Sequence, residues 1–170
     1  MKLQRGMALL VCLVLMLLCG LLGVSVLHSA ALQARMAGNL VMALQAFEAA
    51  ETTLRLAEAR VLAGLEPPGP CVYCLPPPEA PRVRAAGVQG GAGPSSGLGW
   101  QAQGPGFFLV QNLGRSSRPA RLPDGLEVQL LRVTAVGRQQ QARVVLESVL
   151  AQPVVSAAWP AQRILWRQIH

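Results

Sequence analysis

The chain has 170 residues, 52% of them hydrophobic and 14% charged, with a formal net charge of +7. That length holds one membrane-scale helix and one modest domain. One aspartate, seven glutamates and two histidines do not assemble into a nucleophile, base and orienter or into a metal cluster, so the composition speaks against an enzyme and against a metal or cofactor site.

The N-terminus opens on a short basic tip, Lys2 and Arg5, followed at once by Gly6. Residues 7–27 then carry no charged side chain and are mostly Leu, Val and Met. As a helix this run measures roughly 31 Å, enough to cross a hydrocarbon core of about 30 Å. Cys12 and Cys19 lie inside it, where a thiol packs as a small hydrophobe. No proline closes the segment. Apolar residues continue at Leu32, Met36, Leu40, Ala43, Phe47, Ala50, Leu54, Ala57 and Val61, steps of three or four that keep one helical face apolar. Gln33, Arg35, Asn39, Glu48, Glu51, Thr52, Arg55 and Glu58 form the wet face, with Glu51 and Arg55 in the favourable order for a helical pair. The pattern predicts one helix that leaves the bilayer and becomes amphipathic. Positive charge before the span leaves the N-terminus in the cytoplasm and exports the rest. A cleaved secretory signal competes, with Ser29 and Ala31 as small residues near a cut, but the apolar run exceeds a usual signal core and the register continues through the cut.

Beyond Gly64 the helix signal stops, and residues 65–106 read as a Pro- and Gly-rich loop, partly extended and mobile. It contains Cys71 and Cys74, a C-x-x-C between prolines and the loop's one fastener. In an oxidising periplasm a disulfide is the favoured state. The other readings are weaker: haem attachment wants His where Leu75 stands, zinc lacks two further ligands, and no thioredoxin-like unit surrounds a redox pair. Strand patterns follow at 107–113, 126–136, 142–151 and 164–169, the middle two pairing as a hairpin around 137–141. Asp124 sits in a P-D-G turn. An antiparallel sheet of these strands would lay its apolar face on Phe47, Ala50 and Leu54, with Trp159 and Trp166 in core or rim packing. The basic residues are scattered arginines without interleaved aromatics, which speaks against specific nucleic-acid binding.

A basic leader ending in glycine, then a hydrophobic helix running unbroken into an amphipathic one, resembles the class III signal of type IV pilin-like proteins. Residues 35–58 (RMAGNLVMALQAFEAAETTLRLAE) and 131–149 (LRVTAVGRQQQARVVLESV) are similar to stretches of the minor pilin family PilX. The resemblance implies an α+β pilin-like fold, a long N-terminal helix on a small antiparallel sheet, and a division into a leader (1–6), a transmembrane half (7–28), an amphipathic half (29–64), a loop region (65–106) and a sheet region (107–170). It implies cleavage by a prepilin peptidase between Gly6 and Met7, with methylation at Met7, and assembly contacts through Val11, Phe47, Ala50, Glu51 and Leu54. Most pilins carry Glu where Val11 stands; PilX and its secretion-system counterpart GspK also lack the acid, which suits a subunit with no neighbour ahead of it. The implied role is a minor pilin that primes type IV pilus assembly at the tip. Its partners would be other minor pilins, the major pilin and a PilY-type adhesin, first in the inner membrane and then at the cell surface. The alternative is a single-pass, inner-membrane-anchored periplasmic binding protein unrelated to pili.

Overall fold

The protein is described by a computed structural model over residues 3–63, 68–154 and 160–170, with side-chain surroundings from residue 7 onward. The chain divides into two compact units, Met1–Val41 and Met42–His170. A single α-helix, α1, spans Leu3–Leu62. The absence of proline before Pro67 permits that length. In the first unit α1 is long and apolar enough to cross a membrane, and its apolar side chains from Met7 to Leu27 stand exposed. The expected end at Gly64 falls outside the described residues; α1 stops at Leu62.

In the second unit six strands form one antiparallel sheet in sequence order: β1 (Gly87–Val88), β2 (Gly99–Gln103), β3 (Gly106–Ser116), β4 (Val128–Gln139), β5 (Ala142–Pro153) and β6 (Gln162–Gln168). The four expected strands are all present, each extended or shifted by a few residues. Within the expected loop region 65–106, read as partly extended, lie β1, β2 and a short 3-10 turn at Ala80–Arg82. Local sequence gave little sign of β2, whose GWQAQ offers one large apolar side chain; pairing with β3 and burial of Trp100 make it a strand. The hairpin turn also tightens to Gln140 and Gln141, so Gly137 lies inside β4.

The helix meets the sheet through a narrow stripe. Ala46, Ala50, Leu54, Ala57 and Val61 pack on Phe108, Leu131, Val133, Ala135, Val144, Leu146 and Leu150. Three alanines let the backbones approach, and the approach is closest at Gly137, where a Cβ would stand 2.8 Å from the Ala50 Cα and closer still to the Ala46 carbonyl and Ala50 nitrogen. The stripe expected from Leu32 onward is covered only from Phe47; Leu32, Met36, Leu40 and Ala43 remain exposed, and Ala46, outside that stripe, joins the core. The opposite face of the sheet is covered as well, by Ala80, Val83 and Trp100 on Leu109, Val136 and Val145, and by Leu122 beside Val128 and Ala151. Burial on both faces is why β5 reads as a nearly unbroken apolar run.

Gly137→Ala is expected to destabilise the second unit by about 1 to 3 kcal/mol, because backbone atoms of α1 cannot yield as a flexible side chain would. Urea unfolding monitored by far-UV circular dichroism measures this; an unchanged midpoint would show that helix and sheet are not locked at that point.

Candidate functional site

The residues singled out by sequence fall into three places. Gly6 lies within α1, and Met7 and Val11 follow it with side chains open to the surroundings, 71% and 52% exposed. Ala50 and Leu54 are wholly buried in the chain's own core. Phe47 is half-buried and meets Trp166 of β6 edge to face, ring centroids 6.4 Å apart at 76°. Glu51 pairs with Arg55 at 2.9 Å, as their spacing indicated, and with Phe47, Glu48 and Thr52 these two line a shallow groove on the helix. Trp159 lies outside the described residues.

Glu58 departs from the wet face assigned to it. It is 7% exposed and takes a two-pronged contact from Arg163 of β6, whose guanidinium is raised above its usual range by that hydrogen bond. Nothing local in the sequence joins two residues so far apart.

The third place is the C-x-x-C loop. The structure joins Cys71 and Cys74 through their sulfurs, with Cα atoms 5.3 Å apart. The loop is not held by its cysteines alone. The Cys71 amide donates to the Asn112 carbonyl at 2.8 Å. Gln111 Nε2 donates to the carbonyls of Tyr73 at 2.6 Å and Leu75 at 3.1 Å, and Asn112 Nδ2 to that of Pro68 at 2.8 Å. Arg132 Nη1 donates to the Cys74 carbonyl at 2.6 Å. Proline-rich backbone has few donors of its own, so side-chain amides and a guanidinium from β3 and β4 satisfy its acceptors.

Behind Arg132 stands Glu147, a fully buried carboxylate between Arg132 at 3.3 Å and Arg167 at 2.9 Å. Burial pulls the Arg132 guanidinium down, Glu147 opposes that, and the result lies below the usual arginine range. Further along the chain Glu79, 1% exposed, accepts from the Ser96 amide at 2.9 Å, from the Ser96 hydroxyl, and from Trp100 Nε1 at 3.3 Å. Burial pushes its pKa up, but the Ser96 and Trp100 hydrogen bonds outweigh burial and hold the carboxyl below its ordinary value. Glu79, Gln111, Asn112, Arg132 and Trp100 were not singled out by sequence; the one available signal was Trp100, a lone large apolar residue in a Gly-rich tract. Among the described residues no three His, Cys, Asp or Glu side chains gather to hold a metal. These groups position backbone.

Residues 5–55 match the family model described as PilX N-terminal. That match, over less than half of the chain, supports a PilX-family type IV pilin. Among curated proteins and solved structures nothing matches. The PilX match takes in Gly6, Met7, Val11, Phe47, Ala50, Glu51 and Leu54, and ends before Glu58 and the disulfide loop. It supports a minor-pilin role in the type IV pilus, association with the membrane through the apolar helix and with other pilus components as partners. The PilX family is structural rather than enzymatic.

Two outcomes follow from this geometry. Glu147→Gln leaves Arg132 without its carboxylate and is expected to cost about 3 kcal/mol in urea unfolding, whereas Arg167→Gln, at the half-exposed end, costs under about 1 kcal/mol. Equal costs would mean that Glu147 is not the loop's anchor. For Glu79, whose folded pKa is depressed, the stabilisation is complete above the unfolded value of about 4.3 and is lost as pH falls through the lower folded value. The stability gap between wild type and Glu79→Gln should therefore be constant from pH 7 to about 5 and shrink below about 4; a gap that widens in acid would contradict the assignment.

Proposed function

We propose that this protein is a minor pilin that primes type IV pilus assembly as part of an initiating complex at the tip. The observation that carries this reading is the uncharged apolar stretch after Gly6, inside the PilX N-terminal match, with Val11 where most pilins place an acid. An ionised Glu near the middle of a span costs about 2.5 to 3.5 kcal/mol to insert and so demands a partner. Val11 makes no such demand, which suits a subunit with no neighbour ahead of it. The precursor sits in the inner membrane with Lys2 and Arg5 on the cytoplasmic side and the sheet domain in the periplasm, where Cys71 and Cys74 stay oxidised. A prepilin peptidase cuts between Gly6 and Met7 and Met7 is methylated. Removal of Lys2 and Arg5 takes away the charge that tethers the helix end to the cytoplasmic face. The exposed face from Met7 to Leu27 then exchanges lipid for the helices of other minor pilins and the major pilin, the trade of one apolar surrounding for another that drives helix association in membranes. Phe47 and Glu51 remain at the surface for contacts between heads, while Ala50 and Leu54 serve by holding the helix to its own sheet. The loop with Cys71 and Cys74 presents a surface suited to a PilY-type tip adhesin, as the family resemblance implies.

Mass spectrometry of the membrane-extracted protein tests the reading. A chain beginning at methylated Met7, and accumulation of uncut chain when Gly6 is replaced by Val, are the expected results. An intact Met1 supports the single-pass anchored binding protein, and a start near residue 32 a secreted domain; either removes the proposal.

A further inference from the structure

At the closed end of the β4–β5 hairpin three arginines gather without an acid. Arg138 and Arg143 are direct cross-strand partners, and like charges in that position oppose the pairing. Arg138 projects from the sheet face turned away from α1: it shares its side of β4 with Val136, and its Nη1 donates to the Val83 carbonyl at 3.5 Å, next to Arg84. The Nε atoms of Arg138 and Arg143 are buried and find no acceptor. Among the described residues the ion pairs use Glu51, Glu58, Glu127 and Glu147, Glu79 is taken by Ser96 and Trp100, and none of these reaches the three arginines. Burial, then the charges of Arg138 and Arg84, hold the Arg143 guanidinium below its usual range. Arg82, Arg132, Arg163 and Arg167 elsewhere in the domain are matched to carboxylates or carbonyls; here the fold gathers cations and supplies no counter-charge.

Guanidinium forks suit a carboxylate or a phosphate. Nucleic acid would call for a longer track of cations and aromatic platforms, and this cluster is compact and has neither. A carboxylate of matching character is present on the helix side of the same domain. Glu48 is exposed and enters no ion pair among the described residues; Glu51 beside it spends one oxygen on Arg55, and its buried Oε2 has no partner, so the exposed Glu48 is the carboxylate open to another chain. Thr52 and the half-buried Phe47 complete that groove.

We propose that Arg84, Arg138 and Arg143 form a carboxylate-docking site that receives the Glu48 and Glu51 face of a second copy of this chain. The two patches lie on opposite faces of one domain, so the contact joins unlike surfaces of the two copies and is heterologous. It rests on the pilin reading for its setting, neighbouring heads in one assembly. The contact neutralises three converging positive charges and uses the carboxylate that the chain leaves free.

The test uses full-length protein in detergent micelles and sedimentation velocity at about 0.02 M and about 0.5 M NaCl, which screens such contacts. Wild type is expected to associate in low salt and disperse in high salt. Arg138→Glu/Arg143→Glu and Glu48→Arg should each weaken association by about tenfold or more. Mixed together, these two variants should recover it, because the reversed site of one meets the reversed helix of the other. Arg143→Gln serves as the control for folding: relieving an uncompensated cluster should leave the melting temperature unchanged or higher. Association that survives the double reversal, or a mixture that stays dispersed, overturns the proposal. So does retention of a duplex DNA oligonucleotide that is lost in the double-reversal variant while wild type fails to self-associate, an outcome that would assign the cluster to phosphate. N-terminal processing at Met7 is untouched by any of these outcomes, so a failure here leaves the pilin reading standing on its own test.

Discussion

The second unit depends on one close approach, the backbone of β4 at Gly137 against the backbone of α1 at Ala46 and Ala50. Small residues on both sides set the distance, and that distance brings Leu54, Ala57 and Val61 into the hollow formed by Phe108, Leu131, Leu146 and Leu150. A larger residue at any of these three positions would lift the helix off the sheet and open the core along its length. The stripe is thus defined as much by what is missing from the side chains as by what is present. It also settles which helix residues are left over. With Ala50 and Leu54 fully occupied, the groove of Phe47, Glu48, Glu51, Thr52 and Arg55 beside them is left open.

On the far side of the sheet the problem is different. A proline-rich segment offers carbonyls without matching amides, and burying it against strands requires donors from elsewhere. Gln111, Asn112 and Arg132 supply them, and Glu147 with Arg167 holds Arg132 in place. The Cys71 and Cys74 linkage closes only a tight ring and so removes little chain entropy; the longer-range order of the loop comes from the sheet. The buried carboxylate Glu79 does the same for the Gly-rich part, tying Ser96 and Trp100 to the turn before Ala80. Two segments that look like linkers by composition are therefore parts of the folded head.

These two arrangements divide the labour expected of a pilin-type subunit. The exposed apolar run from Met7 to Leu27 needs an apolar surrounding, lipid or other helices, and carries no acid that would restrict the choice. The head carries the polar features: arginines balanced by buried acids where they support the fold, and unbalanced at Arg84, Arg138 and Arg143, where the structure has no use for their charge.

Periodicity alone specified the long helix, its apolar first part and amphipathic second, because a repeat near 3.6 residues without proline is a local property of the chain. The late strands and the P-D-G turn were legible for the same reason; the Leu126 amide donates to the Pro123 carbonyl at 3.3 Å with Gly125 at φ 87°, as that turn requires. The Glu51 and Arg55 pair, four apart on one helix, needed no tertiary information either. Tertiary structure alone decided that 65–106 contains strands, that Glu58 leaves the wet face for Arg163, that Glu147 anchors through Arg132 a loop far earlier in the chain, and that Gly137 is a contact rather than a turn. Each of those depends on a partner dozens of residues away, and a pattern read over a few turns of helix or one strand carries no record of which distant group will arrive to satisfy a buried charge or fill the space beside a missing side chain.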